Sequence, residues 1–324
     1  MTDFLTSRRG VLMMAAGAAA SPLLTRAGEL AAPAAAQVAG WARFPIGGFT
    51  VTMVSDGNLV LPADTLAVDL PPEELTAFLE SRHRDPETRF SHTNHAVIDA
   101  GEARVLVDVG SGDRFQPSAG RLTENLAAAG IALDSITHVV LTHAHPDHVW
   151  GMMDDFGDEP RIPAPNYAMG AQEFDWWTAE GRVEQVPEAM QAFVVGARNA
   201  LLPMAERIRM VEDGAEIVPG VRIIATPGHT PGHMSVMVES EGEAMLVAGD
   251  ALTHAYVSFE RPEWRFAFDM DAEQAAATRR RLLDRVATEG VALSAYHLPF
   301  PGVGHAVRDG EAWRFLPALM KWSG

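Results

Sequence analysis

The heptapeptide Thr142-His143-Ala144-His145-Pro146-Asp147-His148 carries four potential metal ligands within six residues. It directly follows a nearly continuous apolar run at 136–141, which is typical of a short buried strand. A pair of histidines alone would be weak evidence, because such pairs are common on protein surfaces. The added aspartate and third histidine, placed at the end of a buried strand, make the pattern specific. It therefore predicts a metal site, and the alternative is an ordinary polar loop.

The spacing within the heptapeptide divides its ligands between two positions. Residues two apart in an extended segment face the same way, so His143 and His145 can reach one ion together. Pro146 then turns the chain as the first residue of a following helix, which directs Asp147 and His148 towards a neighbouring position. Neutral imidazoles and carboxylates suit Zn²⁺, Mn²⁺, Fe²⁺ or Co²⁺.

Three further ligand candidates lie downstream, each in a loop at the end of a predicted strand. His229 lies in a tight loop rich in glycine and proline, Asp250 follows an apolar strand, and His297 follows the last predicted strand. Loops at strand ends are where functional side chains are usually mounted on a scaffold. His233, four residues after His229, is expected to hydrogen-bond within its loop rather than to bind metal.

The composition of the chain narrows its chemistry. The 324 residues carry a formal net charge of −18, which argues against a general nucleic-acid binder because phosphate neutralisation needs a basic face. No cysteine occurs, which excludes disulfides, thiol nucleophiles and cysteine-ligated metals. Lys321 is the only lysine, so no lysine is placed for a phosphate-binding loop or a Schiff base.

Residues 1–36 have the pattern of an export signal. Arg8 and Arg9 directly precede an apolar run of about 14 residues, which is shorter than the roughly 20 that a membrane-spanning helix needs. The arginine pair resembles a twin-arginine signal, and small residues at 34–36 suit a cleavage site. We therefore expect a periplasmic or secreted protein whose mature form, residues 37–324, has no membrane span. The alternative is an alanine-rich disordered N-terminus.

The rest of the chain alternates between strand and helix patterns. Helical spacing predicts helices at 121–129, 187–202 and 271–289. Apolar runs predict strands at 49–54, 95–99, 104–109, 136–141, 207–211, 215–225, 233–238, 243–248 and 291–295. The polar residues at 55–58 predict a turn after the first strand. This order favours an α/β protein with sheets packed face to face and helices outside.

The ligand motifs, in their order along the chain, resemble those of the metallo-β-lactamase superfamily over roughly residues 45–315. The resemblance implies a single-domain αββα sandwich with two metal ions at one edge of the sheets. It also implies two ligand sets with a shared carboxylate: His143, His145 and His229 for the first ion, Asp147, His148 and His297 for the second, and Asp250 as the bridge.

Within that superfamily, the C-terminal segment resembles methyl parathion hydrolase and its secreted relatives. Residues 297–305 carry a histidine, a Phe-Pro-Gly sequence and a Gly-His pair in a similar arrangement. Phe115 and Trp177 fall where that enzyme has aromatic pocket residues, and Trp176 is the alternative to Trp177. His254 is a further candidate for the substrate pocket. These relatives imply a small-molecule substrate and a homodimer.

The implied function is hydrolysis of an ester, lactone or phosphotriester bond by a hydroxide that bridges two divalent ions. Zinc is the expected metal, with Mn²⁺, Fe²⁺ and Co²⁺ as alternatives, and two ions lower the pKa of a shared water to near neutrality. Asp147 and Asp250 are the expected catalytic carboxylates. The alternative functions are an iron-dependent persulfide dioxygenase, a glyoxalase II-like thioester hydrolase and a metal-binding protein without catalysis.

Overall fold

Two seven-stranded sheets pack face to face in the computed structural model, which describes residues 39–320 except 155, 156 and 158. The strands of the first sheet are β1 (Trp41–Ile46), β2 (Phe49–Pro62), β3 (Thr88–Ala100), β4 (Ala103–Val107), β5 (His138–Leu141), β6 (Asn166–Gly170) and β7 (Ile208–Val211). They are ordered as in the sequence, antiparallel from β1 to β4 and parallel from β4 to β7. The predicted signal segment at 1–36 lies outside the described residues.

The second sheet is built from the C-terminal half of the chain. Its strands are β8 (Glu216–Val218), β9 (Val221–Ala225), β10 (Met234–Ser240), β11 (Glu243–Val247), β12 (Ala292–Ser294), β13 (Val303–Asp309) and β14 (Ala312–Pro317). They run from β14 at one edge to β8 at the other, and β11 and β12 pair in parallel while the remaining neighbours are antiparallel.

Helices cover the outer faces of both sheets. The α-helices are α1 (Pro72–Glu80), α2 (Leu122–Ala128), α3 (Pro146–Val149), α4 (Ala171–Thr178), α5 (Arg182–Gln185), α6 (Glu188–Leu201), α7 (Val257–Glu260) and α8 (Ala272–Glu289). Apolar residues of α2, α4 and α6 pack on the first sheet, and those of α7 and α8 pack on the second. Within the described residues, we find no helix that is long and apolar enough to cross a membrane.

The alternation of side chains along each strand explains why the layers form. Val105 and Val107 of β4 point into the core between the sheets, whereas Leu106 points into the core under the helices. On the second sheet, Val236 of β10 faces the inner core and Met237 faces the helices. Both faces of each central strand are therefore apolar and buried. The prediction of a single-domain αββα sandwich is confirmed.

The predicted turn at 55–58 is wrong, because β2 continues through it to Pro62. The pairing of β2 with β3 shifts between Ser55 and Gly57, which marks a β-bulge. The Asp56 carboxylate accepts hydrogen bonds from the backbone N–H groups of Leu122 and Ser111, at 2.6 and 3.4 Å. Polar residues typical of a turn thus anchor the segment that leads into α2.

Other boundaries also differ from the sequence expectation. The strand predicted at 215–225 is a hairpin of β8 and β9, because Pro219 and Gly220 interrupt it. The sequence patterns do not predict the strands β1, β6, β13 and β14 or the helices α1, α4, α5 and α7. Both β13 and β14 carry polar residues on their exposed side, so their apolar pattern is weak in the sequence.

Candidate metal centre

The first sheet supplies four of the predicted ligands at one edge of the sandwich. His143 and His145 follow directly after β5, and α3 begins at Pro146. Asp147 and His148 therefore lie in the first turn of α3, which bends away from the strand direction. All four ligand side chains are buried.

The second sheet supplies the remaining three ligands at the same edge. His229 follows β9, Asp250 lies in the 3₁₀ turn Gly249–Ala251 after β11, and His297 follows β12. Since the ligands come from loops of both sheets, the site closes the sandwich at this edge. The structure thus brings together all seven side chains that the sequence selected.

The distances between ligand atoms suit shared ions. Two ligands at 2.0–2.1 Å from a tetrahedral ion stand about 3.3–3.4 Å apart. Asp250 Oδ2 lies 3.4 Å from His229 Nε2, and Asp250 Oδ1 lies 3.4 Å from His148 Nε2, so its carboxylate faces both ligand sets. His297 Nε2 lies 3.0 Å from Asp250 Oδ2 and 3.5 Å from Asp147 Oδ2.

Buried polar atoms without a partner provide an independent test of whether metal ions fit. His143 Nε2, His148 Nε2, Asp147 Oδ2 and Asp250 Oδ1 are buried and have no hydrogen-bond partner. Such atoms are rare in folded proteins, because each one costs free energy. All four point into the ligand cluster, where bound cations satisfy them. The donor set of imidazoles and carboxylates therefore fits two divalent ions.

The electrostatics of the site keep His143, His145 and Asp250 in metal-binding protonation states. Burial, together with the neighbouring histidines, lowers the pKa of His143 and His145 well below the usual value, so both are neutral imidazoles at neutral pH. Burial opposes ionisation of Asp250, but His297 and His148 outweigh burial and hold its pKa well below the usual range. Neutral imidazole and ionised carboxylate are the forms that bind metal.

A buried carboxylate that sequence reasoning missed orients His148. Asp108 Oδ2 accepts a hydrogen bond from His148 Nδ1 at 2.8 Å and from the Thr142 hydroxyl at 2.8 Å. Its Oδ1 accepts from the Thr142 backbone N–H at 2.7 Å. Asp108 has a φ of 61°, which is uncommon for a residue other than glycine, and these bonds hold it there. Because Nδ1 donates to Asp108, Nε2 is the ring nitrogen that His148 presents to the site.

His229 and His297 are oriented in the same way by hydrogen bonds from Nδ1. His229 Nδ1 lies 3.0 Å from Asp269 Oδ1, and Asp269 Oδ2 accepts from Arg279 at 2.5 Å. His297 Nδ1 donates to the carbonyl oxygen of His92 at 2.7 Å. Metal-binding histidines commonly donate their other N–H to such partners, which fixes the tautomer.

Glu173 of α4 links the two ligand loops by hydrogen bonds, and no motif in the sequence pointed to it. Its carboxylate accepts from the backbone N–H of Ala144 at 3.1 Å and from the Trp177 indole at 2.6 Å. It also accepts from the Thr230 hydroxyl and the Gly232 backbone N–H, both at 2.8 Å. Ala144 separates the first two histidines, so Glu173 holds that loop against the loop that carries His229.

The predicted loop role of His233 agrees with the structure. His233 Nδ1 lies 2.7 Å from the Thr226 hydroxyl, and its Nε2 accepts from the Asp250 backbone N–H at 3.0 Å. Burial lowers the pKa of His233 to about 3, so it accepts this bond as a neutral ring. His233 thereby fixes the backbone of the shared carboxylate from behind the site.

The expected pocket residues occupy three different positions. Phe115 lines a cavity of about 30 Å³ directly above the ligands, together with Phe193 and Phe266. His254 lines a neighbouring cavity of about 290 Å³. Trp177 does not line either cavity: it is fully buried in the core under His145, with its indole N–H bonded to Glu173. The assignment of Trp177 to the pocket wall is therefore corrected.

A sequence comparison, together with this ligand geometry, identifies the family. The sequence profile of the metallo-beta-lactamase superfamily matches residues 88–297, which contain every ligand. The chain belongs to the metallo-beta-lactamase superfamily. Membership, together with the ligand cluster, makes the protein a metal-dependent hydrolase, as predicted.

Relatives in the superfamily include lactonases. An N-acyl homoserine lactonase of Bacillus cereus is 27% identical over 232 residues, which cover 72% of this chain and 78% of the relative. One from Bacillus thuringiensis is 26% identical and is covered over 66% of its length. The finer resemblance to methyl parathion hydrolase is not supported, because these matched relatives are lactonases.

Solved structures share the superfamily fold over most of the chain. The dizinc quorum-quenching lactonase AidC superposes with a TM-score of 0.82 at 23% identity, covering 87% of this chain and 98% of AidC. The hydrolase AbOPH superposes with a TM-score of 0.81 at 28% identity, covering 88% of this chain and all 100% of AbOPH.

Proposed function

We propose that this superfamily member is a dinuclear zinc hydrolase that opens lactone rings, with N-acyl homoserine lactones as its first candidate substrates. The observation that carries the proposal is the shared Asp250 carboxylate, whose two oxygens face the two histidine sets at 3.4 Å each. The lactonase relatives and the fold shared with a dizinc lactonase support the choice of bond and metal.

His143, His145 and His229 would hold the first ion, and Asp147, His148 and His297 the second. When bound, two divalent ions supply Lewis acidity and a water whose pKa is near neutrality. The residues of the chain would position the two ions and supply the negative charge that balances them. Asp250 stays ionised despite burial and sets the separation of the two ligand sets.

The small cavity above the ligands has mainly apolar walls. Leu59, Leu61, Phe115, Phe193, Phe266 and Phe268 line it together with the ligands. Apolar side chains around a few polar groups are typical of small-molecule sites. A lactone carbonyl at the ligand cluster would therefore meet apolar side chains, while the cavity of about 30 Å³ is too small to enclose the acyl tail, which would extend beyond it.

The experiment is hydrolysis by protein stripped of metal and reloaded with two equivalents of zinc. Ring opening of N-hexanoyl homoserine lactone releases a proton, which a pH-stat measures directly. An aryl ester, a thioester and a phosphotriester are assayed beside it. We expect lactone turnover to be highest. Protein that binds two zinc ions and opens no lactone would refute the proposal, and preferred thioester turnover would favour the glyoxalase II-like alternative.

The iron-dependent dioxygenase is a weaker candidate, because it uses one ion and this chain has two complete ligand sets. Oxygen uptake by protein with one iron would favour it. We further propose, from the sequence of residues 1–36 alone, that the protein is exported by a twin-arginine-type route. Replacement of Arg8 and Arg9 by lysines should then retain the protein in the cytoplasm, as cell fractionation would show. A homodimer stays a prediction.

A further inference from the structure

A buried arginine beside the metal centre has no ion-pair partner among the described residues. Arg89 of β3 is 7% exposed, and its Nε atom is buried without a hydrogen-bond acceptor. Its guanidinium group lies over the Phe266 ring, 4.9 Å from the ring centroid. No ion pair joins Arg89 to a carboxylate of the described chain, in contrast to the buried Arg279, which is paired with Asp269.

Burial of an unpaired cation costs free energy, and two nearby carboxylates reduce this cost. Burial lowers the pKa of Arg89 to about 10, and Asp250 and Asp147 act against this decrease. Arg89 is therefore a cation at neutral pH. In the proposed metal-loaded protein, both carboxylates neutralise divalent ions instead. Arg89 then loses this compensation and faces a site of net positive charge, which favours an anion next to it.

Arg89 lies where that anion can enter. It lines the small cavity above the metal ligands and also the neighbouring cavity of about 290 Å³. His297, one of the ligands, is shared by both cavities as well. A molecule in the larger cavity can thus contact Arg89 while its reacting carbonyl lies at the ligand cluster.

His254 adds a hydrogen-bond donor to the larger cavity. Its Nδ1 accepts from the backbone N–H groups of Tyr256 and Val257, at 3.4 and 3.1 Å. Burial, Arg89 and Arg84 lower the pKa of His254 to about 3, so the ring is neutral and its proton resides on Nε2. Asp85 is the carboxylate in this lining, and its Oδ1 already accepts from the N–H groups of Glu87 and Thr88.

We propose that Arg89 binds a carboxylate carried by the substrate, so that, among lactones or esters of one acyl length, those whose acyl chain ends in a free carboxylate are preferred over those that end in a methyl group. The proposal rests on the proposed hydrolase function. One buried cation balances one negative charge, and the planar guanidinium matches a carboxylate with two parallel hydrogen bonds. The apolar walls formed by Leu66, Leu79 and Phe90 suit the carbon chain between the two groups.

The test compares two substrates that differ only at the far end. Phenyl hydrogen adipate carries a carboxylate where phenyl hexanoate carries a methyl group. We expect the zinc-loaded wild-type protein to prefer the adipate ester by about 10- to 100-fold in kcat/KM, the value of a charge-assisted hydrogen bond. Equal or reversed preference would overturn the proposal without any variant.

Variants at position 89 test whether Arg89 causes the preference for the adipate ester. Arg89→Gln should lower the ratio of the two kcat/KM values by about 10- to 100-fold, and Arg89→Lys should restore part of it. Arg121→Gln, which removes an exposed arginine, should leave the ratio as in the wild type. An Arg89→Gln effect that is equal on both esters would mean that Arg89 contacts the reacting group instead, and would overturn the proposal.

A binding measurement separates this inference from the hydrolase proposal. Calorimetry on zinc-loaded protein compares adipate with hexanoate, the acids that the two esters yield. We expect adipate to bind at least about 10-fold more tightly to the wild type, and this advantage to disappear in Arg89→Gln. If neither the esters nor the lactone is hydrolysed, the hydrolase proposal fails, while the adipate advantage in binding still decides the role of Arg89.

Discussion

Replacement of Asp108 by asparagine tests whether the site depends on the tautomer of His148. The asparagine amide has the same shape and tolerates the φ of 61°, so the backbone should not be strained further. Its carbonyl oxygen can still accept from the Thr142 backbone N–H, as Asp108 Oδ1 does at 2.7 Å. Its NH₂ group then faces His148 Nδ1, where the carboxylate accepted at 2.8 Å.

Two N–H donors cannot share that contact, so His148 changes tautomer. Nδ1 then accepts, and Nε2 gains the proton and loses the lone pair that points at Asp250 Oδ1 from 3.4 Å. Loss of such a partner behind a metal-binding histidine typically lowers metal affinity by 10–100-fold, which is about 1.4–2.7 kcal/mol. Asp108 reaches the first ligand set only through the Thr142 hydroxyl, which lies 3.1 Å from His143 Nδ1, so the first ion should be weakened less than the second.

The measurement is a zinc titration against a chromophoric chelator, with the metal content of the protein determined by mass spectrometry. We expect two tight ions in the wild type and one tight ion plus one weakened ion in Asp108→Asn. Asp309→Asn, at an exposed carboxylate paired with Arg314, is the control and should bind zinc as the wild type does. Two unchanged affinities in Asp108→Asn would refute the tautomer argument.

Four further results are expected. Replacement of Glu173 by glutamine places an NH₂ group opposite donors whose hydrogen bonds the Glu173 carboxylate accepts. The free energy of unfolding should therefore fall by about 1–3 kcal/mol in a denaturant titration, and an unchanged midpoint would contradict this role. Asp250→Asn should lose at least about 100-fold in turnover while circular dichroism shows an intact fold, and full activity would exclude the shared carboxylate. Burial raises the pKa of Asp56 to about 6 from 3.8, so the metal-free fold should lose up to about 3 kcal/mol as the pH rises through this interval; Asp56→Asn should remove that part of the pH dependence. Chelation of zinc should lower the melting temperature, because ligands that bind only the native state stabilise it by about 4 kcal/mol at a thousand times Kd, and an unchanged melting temperature would speak against metal binding in the native fold.

The sequence predicted the packed sheets and the first four ligands because both depend on patterns that are local along the chain. The apolar run before His143 forms β5, and the proline after His145 begins α3, as the spacing indicated. The ligand residue types are also rare enough in tight loops to stand out. Convergence of His229, Asp250 and His297 followed from the resemblance, and the structure places these three at the same edge.

The supporting carboxylates escaped prediction because a single acidic residue in a sequence is ordinarily a solvated surface residue. Asp108, Glu173 and Asp269 differ from surface carboxylates only in what the fold brings to them. The adjacent tryptophans Trp176 and Trp177 show a related limit, because the sequence does not tell which of them faces the pocket and which packs in the core. Trp177 is the one that packs under His145 and donates to Glu173.

The metal ligands and the cavity walls come from different kinds of segment, which explains why the chemistry is easier to derive from the sequence than the substrate. The proposed nucleophile would depend on seven ligands at strand ends. Asp108 and Asp269 accept hydrogen bonds that orient His148 and His229, and Glu173 accepts bonds from the loop that carries His229. The cavity walls instead come from segments distant in sequence, such as β2, β3 and the segment after α7. The role of a buried cation such as Arg89 can be inferred only once the fold shows that the surrounding segments leave it unpaired. Substrate preference therefore resides in contacts that do not form a motif, while the reaction resides in residues that do.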